Sequence, residues 1–262
     1  MTKFKAGNIV SLMLLVWLFV HAVIAFFAPQ WSAFASIVAC TVPMLLFKEK
    51  HRGSTFGAKE CNTVKYKKKE YITFFLFTIS GSALISSLTF LLFTAAGYET
   101  AAKQDNGFFY TLVFSCFIPA FFEEWFVRGG MLGALAKYGG IGMWTCGFIF
   151  ALMHSGTNAL YAVFSGVLIT AIVYVTECIY LGMLLHFLNN FISMLLSYLS
   201  GGAEYIALFV IIVVFAVCFV LLGHSMLLAD INKALFAFGK EDKKAVFTPL
   251  LFIILLLTRI LL

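Results

Sequence analysis

Charged side chains are scarce in this sequence. Only 11% of its 262 residues are Asp, Glu, Lys or Arg, whereas 62% are hydrophobic and 17% are aromatic. A soluble domain carries about 25% charged residues, because its surface has to interact with water. The scarcity excludes an ordinary soluble protein and predicts that lipid surrounds most of the chain.

Closely spaced cysteines are also missing. The six cysteines stand singly, at Cys40, Cys61, Cys116, Cys146, Cys178 and Cys218. Without a CxxC pair, the sequence lacks the signature of a thiolate metal site or of a redox motif. All but Cys61 lie in or beside apolar stretches, so we expect small buried hydrophobic residues and no disulfides.

Long apolar runs make up most of what the sequence does contain. A helix needs about 20 apolar residues to cross the hydrocarbon layer of a bilayer. The runs, some of them short, cover residues 8–28, 31–47, 71–97, 108–136, 141–154, 159–176, 179–200, 205–228 and 245–262. The pattern predicts an all-α fold, a polytopic transmembrane helical bundle of eight or nine spans that forms a single membrane domain over residues 1–262.

Basic residues are concentrated in one connection. The formal net charge is +6, and eight Lys or Arg residues fall between positions 48 and 70. By the positive-inside rule, such a connection faces the cytoplasm. We therefore expect a multi-pass protein of the cell membrane with a cytoplasmic N-terminus. The lipid bilayer is the expected partner of the positive charge, and nucleic acid is not.

Three charged residues interrupt the fourth apolar run. Glu123, Glu124 and Arg128 lie in Phe-Phe-Glu-Glu-Trp-Phe-Val-Arg-Gly, where each charge costs on the order of 2.5–3.5 kcal/mol. On a helix, Glu124 and Arg128 share a face at i and i+4, which suits an ion pair. Glu123 projects about 100° away, so its charge is less compensated and it is suited to act as a general base. A purely structural charge cluster that joins helices explains the same residues.

Histidine and asparagine add polar groups to other runs. His154 ends the fifth run, and the seventh contains His186, Asn189 and Asn190. His186 and Asn190 share a helix face at i and i+4. A single intramembrane histidine is usually a hydrogen-bonded packing residue. Because polar groups inside a membrane usually face one another or a water-filled cavity, we expect this set and the glutamates to converge on one site.

Three short motifs follow one another on separate apolar runs. They are Glu-Glu-x-x-x-Arg at 123–128, Phe-x-x-x-His at 150–154 and His-x-x-x-Asn at 186–190. Each motif is weak alone. In this order the set resembles the CAAX protease and bacteriocin-processing (CPBP, Abi-type) family of intramembrane proteases. The resemblance extends over roughly 121–191, within an expected catalytic core at 107–200.

The resemblance implies an intramembrane endopeptidase that cleaves a membrane-associated peptide or protein. In such an enzyme Glu123 activates water together with His154, and His186 and Asn190 stabilise the tetrahedral oxyanion. The remaining members of the expected catalytic set, Glu124 and Arg128, keep the site in shape. No cofactor is expected.

Zinc is the cofactor that the residue types allow but the spacing disfavours. The two histidines and Glu123 could form a site with an open fourth position. Glu124 would then be tied to Arg128, which leaves no free base for the metal-bound water. Asn190 would also lack a role, because an amide is a better donor to an oxyanion than a zinc ligand.

Two other functions stay open at the level of sequence. Buried Glu, His and Arg also form proton relays, as in a proton-coupled small transporter. With only four prolines, the broken-helix signature of such carriers is weak. A non-catalytic bacteriocin-immunity or signalling membrane protein could keep the same fold. Retention of the complete motif set favours the protease.

The charge distribution predicts the orientation in the membrane. In a variant without native cysteines, a cysteine introduced between positions 48 and 70 should react with a membrane-impermeant maleimide only from the cytoplasmic side. A cysteine beside Lys103 should react only from outside, because one span separates the two connections. Labelling of intact cells and of inverted vesicles measures this, and the opposite pattern would contradict the orientation.

Overall fold

Helices account for nearly all of the described chain. The computed structural model describes residues 6–28, 34–47, 65–97, 107–154, 158–199 and 203–237. Its helices are α1 (Ala6–Phe27), α2 (Ala35–Leu46), α3 (Lys68–Ala95), α4 (Phe108–Tyr138), α5 (Gly140–Leu152), α6 (Asn158–Thr176), α7 (Ile179–Ser197), α8 (Ala203–Leu222) and α9 (Met226–Phe236). These ranges contain no strand, so the predicted all-α fold is confirmed.

Only some of the described helices are long enough to span a bilayer. Helices α1, α3, α4 and α7 have the length and hydropathy of a membrane span, and the bent pair of α8 and α9 could form a fifth. Helices α2, α5 and α6 are apolar but shorter by the same criterion. The chain is therefore an integral membrane protein, but the predicted count of eight or nine spans is not confirmed. The predicted run at 245–262 lies outside the described residues.

The eighth apolar run is not the single helix that its predicted extent of 205–228 assumed. The chain bends by 83° between Ile206–Leu222 and Met226–Phe236. Ser225 restarts the helix, since its Oγ accepts the Leu228 N–H at 3.0 Å and so caps the N-terminus of α9. Hydropathy did not reveal the break because the residues on both sides are apolar.

One carboxylate holds the start of α9 against the start of α3. Glu70 Oε2 accepts the Lys67 N–H at 2.9 Å, and its Oε1 accepts the Met226 N–H at 2.7 Å. The free N–H groups at a helix N-terminus favour a negative charge. Glu70 therefore caps two helices at once and fixes the position of α9.

A second polar contact ties α9 to the residues before α3. Asp230 accepts the Tyr66 hydroxyl at 2.7 Å and pairs with the Lys65 ammonium at 2.6 Å. Burial of the phenol and its hydrogen bond to Asp230 raise the pKa of Tyr66 to about 12. The phenol therefore remains protonated, and remains a donor, at any physiological pH.

Glycines bring α5 and α6 into close contact. A Cβ on Gly147 would lie 2.5 Å from Val167 Cγ2, and one on Gly166 would lie 2.9 Å from the Gly147 carbonyl oxygen. Small residues at such positions let membrane helices approach closely. The contact brings the Gly166 carbonyl to the side of α4, where Arg128 binds it.

Helix α4 changes its winding on both sides of the two glutamates. The segments Leu112–Phe117 and Trp125–Met131 are π-helical, and they flank the α-helical Ile118–Glu124. Widened turns of this kind are rare and often occur at functional sites. The sequence pattern did not predict them because it assumed a uniform 3.6-residue period.

The cysteines follow the prediction with one exception. Cys40, Cys116, Cys146 and Cys218 are buried free thiols. Cys178, between α6 and α7, is disulfide-bonded, so the expectation that no disulfide forms is wrong at this position. The spacing of single cysteines along a sequence does not show which of them meet in space. Cys61 lies outside the described residues.

Candidate active site

A polar cavity opens inside the largely apolar bundle. It has a volume of about 400 Å³ and is lined by residues of α3, α4, α6 and α7 and by His154, two residues after the end of α5. Four of the predicted site residues line it: Glu123, His154, His186 and Asn190. The structure therefore brings together residues from three separate apolar runs, as expected of intramembrane polar groups.

Glu124 and Arg128 lie behind the cavity wall as a buried ion pair. Both side chains are completely buried, and Arg128 Nη1 lies 2.6 Å from Glu124 Oε1. The guanidinium also donates from Nη2 to the Gly166 carbonyl at 2.8 Å and from Nε to Thr170 Oγ1 at 3.2 Å. Arg128 thus joins α4 to α6 by hydrogen bonds that the planar fork of a guanidinium can make simultaneously.

Glu124 also binds one of the cavity histidines. Its Oε1 lies 2.9 Å from His186 Nδ1. Gly182, one turn earlier on α7, permits the approach, since a Cβ there would lie 3.1 Å from Glu124 Oε2. Because a carboxylate accepts, His186 Nδ1 carries the proton and the neutral ring has its lone pair on Nε2. Two chain segments far apart in sequence therefore share one carboxylate oxygen.

The second cavity histidine is fixed in the same tautomer. His154 Nδ1 lies 2.9 Å from the Phe150 carbonyl oxygen, four residues earlier. A carbonyl oxygen can only accept, so Nδ1 donates and Nε2 is the acceptor of the neutral ring. His154 is half-buried and contributes to the cavity lining.

Phe150 packs against three members of the predicted set. Its ring centroid lies 4.7 Å from that of His154 and 5.2 Å from that of His186, the latter edge to face. The Arg128 guanidinium carbon lies 4.4 Å from the same centroid, close enough for a cation–π contact. The packing of Phe150 therefore explains why an aromatic residue occupies the first position of the Phe-x-x-x-His motif.

Glu123 has much less compensation than its neighbour. Its Oε1 accepts a hydrogen bond from Ser36 Oγ of α2 at 3.5 Å, the outer limit of such a contact. Its Oε2 is buried and has no hydrogen-bond partner among the described residues. A buried carboxylate oxygen without a partner costs free energy, so the carboxylate of Glu123, which also lines the cavity, keeps acceptor capacity that the fold does not use.

Asn190 is held at the cavity by a backbone carbonyl. Its Nδ2 donates to the Ser115 carbonyl oxygen at 3.3 Å. Pro119, four residues after Ser115, has no N–H and cannot supply the usual helical hydrogen bond to that carbonyl. Asn190 takes the place of the missing donor, and its second amide hydrogen is available to the cavity.

The cavity includes polar residues that the sequence pattern missed. They are Ser86, Thr111, Ser115, Cys116, Tyr161, Ser193 and Ser197. Serine and threonine are common in membrane helices, so they gave no signal, and Tyr161 belongs to none of the motifs. Only the packing of α3 and α6 against α4 and α7 could identify them.

Two further cavities lie beside this one. It shares Ser86 and Ser193 with a second cavity of about 510 Å³. That cavity in turn shares Ala83 with a groove of about 410 Å³ between α3, α7 and α8, lined almost entirely by apolar side chains. The lining therefore changes from polar to apolar along α3.

The residue types of the cavity do not assemble into a clear metal site. In the part of the chain that the structure describes, no three His, Cys, Asp or Glu side chains lie together in an arrangement that could hold a metal ion.

Fold and cavity together define a class of protein: a helical integral membrane protein with a glutamate and histidine site inside the bundle. Residues 105–192 match a family model, Type II CAAX prenyl endopeptidase Rce1-like. The matched segment contains all six predicted site residues, and it confirms the resemblance to the CAAX protease family. It supports a CAAX-type intramembrane endopeptidase, a hydrolase. No curated protein and no solved structure gives a significant match to the chain.

The buried ion pair predicts a large effect on stability. Arg128→Ala should lower the free energy of unfolding by about 3–5 kcal/mol, because it leaves the Glu124 carboxylate charged in a buried site. Arg128→Lys should restore only part of the loss, since an ammonium cannot copy the planar fork. Thermal unfolding of the purified protein in detergent measures both.

A matched control is available on the same helix. Lys137 is exposed and takes no part in the ion pair, so Lys137→Ala should unfold at the wild-type temperature. If Arg128→Ala were as stable as Lys137→Ala, the role of the pair in holding α4 to α6 would be wrong.

Proposed function

We propose that this protein is an intramembrane endopeptidase that hydrolyses a membrane-associated peptide or protein with water activated by Glu123 and His154. The observation that carries the proposal is the unpartnered Glu123 Oε2, in a cavity that His154, His186 and Asn190 also line. The family match of residues 105–192 supports the same class of reaction.

In the first step, Glu123 and His154 divide the work on one water molecule. The neutral His154 ring has its lone pair on Nε2, which accepts one water hydrogen and orients the oxygen. Glu123 takes the other proton as general base, so one O–H bond of the water breaks. The resulting hydroxide forms a bond to the scissile carbonyl carbon, whose oxygen becomes an oxyanion.

In the second step, Asn190 and His186 stabilise the oxyanion. Asn190 donates its second amide hydrogen, whereas His186 can donate from Nε2 only as an imidazolium. The Glu124 carboxylate at Nδ1 stabilises that charge. Glu123 then returns its proton to the leaving amine as the C–N bond breaks, which regenerates the base.

The shape of the cavity supports a substrate that comes from the bilayer. A membrane-anchored chain has both apolar and peptide surface to bind, which suits a polar site with an apolar groove nearby on the same helices. We therefore place substrate entry along α3 and α7, past Ser86 and Ser193. In the same proposal the N-terminus is cytoplasmic, which the positive charge of the connection at 48–70 supports.

Loss of the proposed base should abolish hydrolysis without loss of fold. Glu123→Gln removes the proton acceptor, so cleavage of a membrane-anchored peptide library, read by mass spectrometry, should fall to background. The unfolding temperature should stay near that of wild type, because the Glu124 ion pair is intact. The exposed Glu177, between α6 and α7, gives the control Glu177→Gln, which should cleave normally. Wild-type turnover by Glu123→Gln would contradict the mechanism.

We also propose that hydrolysis needs no transition metal. If zinc were bound, the two histidines and Glu123 would be its ligands and it would supply an activated water. The prediction is that exhaustive chelation leaves cleavage unchanged and that elemental analysis of active protein finds no stoichiometric metal. Stoichiometric zinc whose removal stops cleavage, and whose return restores it, would show that His154 and His186 have other roles.

A further inference from the structure

The hydrogen bonds of the predicted site residues leave few neutral donors among the two histidines and Asn190. Both histidines use Nδ1–H on protein acceptors, the Phe150 carbonyl and Glu124, so both neutral rings offer only the Nε2 lone pair. Asn190 already donates one amide hydrogen to the Ser115 carbonyl oxygen. An oxyanion, however, is stabilised by several donors positioned before it forms.

A protonated His186 could supply a second donor to the oxyanion, but the extra positive charge is unfavourable for the site. The same Glu124 oxygen already pairs with the Arg128 cation. A second cation would have to share that oxygen with the guanidinium, and its charge would also favour the ionised form of Glu123 at a cost to the strength of this residue as a base. A neutral donor in the cavity avoids this cost.

Tyr161 has the position and the chemistry of such a donor. It lies on α6 and lines the cavity together with Glu123, His154 and Asn190. Its ring stands edge-on to that of His154, with the centroids 6.3 Å apart, and it is close enough to Glu123 for an electrostatic interaction. A phenol carries one O–H donor on a rigid ring and donates without becoming charged.

We propose that Tyr161 contacts the substrate and that its hydroxyl donates a hydrogen bond to the scissile carbonyl oxygen as this becomes an oxyanion. The inference rests on the proposed endopeptidase activity. In this arrangement the oxyanion lies between the Asn190 amide on α7 and the Tyr161 phenol on α6. His186 is then not the sole source of a second donor.

The test uses the full-length protein and a peptide that the wild type cleaves in the library. Tyr161→Phe removes the hydroxyl and keeps the ring, so kcat should fall on the order of 100-fold, as for the loss of one oxyanion donor. KM should change little, because the contact strengthens only in the transition state. Tyr174→Phe is the matched control: Tyr174 is half-buried on the same helix but does not line the cavity, and its kcat should stay at the wild-type value.

A second measurement separates the donor from a packing role. A phosphinate analogue of the cleaved peptide imitates the tetrahedral oxyanion, and Tyr161→Phe should weaken its binding by about the factor lost in kcat/KM. An unchanged kcat, or a loss confined to KM with unchanged phosphinate binding, would overturn the role of Tyr161 while leaving the endopeptidase intact. If the wild type neither cleaves the library nor binds the phosphinate, the proposed function fails and this inference fails with it.

Discussion

The sharing of Glu124 Oε1 between Arg128 and His186 is the interaction on which the rest of the site depends. One oxygen lies 2.6 Å from the guanidinium and 2.9 Å from the imidazole. Since Arg128 is also bound to the Gly166 carbonyl, this carboxylate connects α4, α6 and α7. Removing a partner from a buried charge network leaves an uncompensated charge, so the geometry of the cavity and the stability of the bundle cannot be separated here.

The same contact fixes the chemistry that the cavity can perform. Because Glu124 accepts from His186 Nδ1, the ring presents Nε2 to the cavity, and the Phe150 carbonyl has the same effect on His154. Both histidines are thus acceptors when neutral. A site with two acceptors and one unpartnered carboxylate is suited to take protons from water, but it needs its oxyanion donors from elsewhere. Asn190 and Tyr161 are two lining residues that can donate without becoming charged.

The sequence was sufficient to predict contacts within one turn of a helix and to predict that the polar groups converge on one site. The ion pair of Glu124 and Arg128 follows from an i, i+4 spacing, and the meeting of three motifs in one cavity follows from the cost of isolated polar groups in lipid. The bond from Glu124 to His186 joins positions 62 residues apart and depends on how α7 packs. The π-helical turns of α4 and the bend after Leu222 escaped prediction because apolar composition is the same in a straight, a widened and a broken helix.

The two adjacent glutamates, Glu123 and Glu124, differ in how well their carboxylates are compensated. Each glutamate has a buried Oε2 without a hydrogen-bond partner among the described residues. Glu124 Oε1, however, binds both Arg128 and His186, whereas Glu123 Oε1 has one weak contact from Ser36. A donor placed at that oxygen would stabilise the fold, but it would also occupy the lone pair that a general base needs. Local rules of stability are commonly broken at functional sites. The lack of a strong contact to Glu123 among the described residues is therefore the strongest physical argument that the cluster is a reactive site, because a cluster that served only to join helices would gain stability from pairing this glutamate as well.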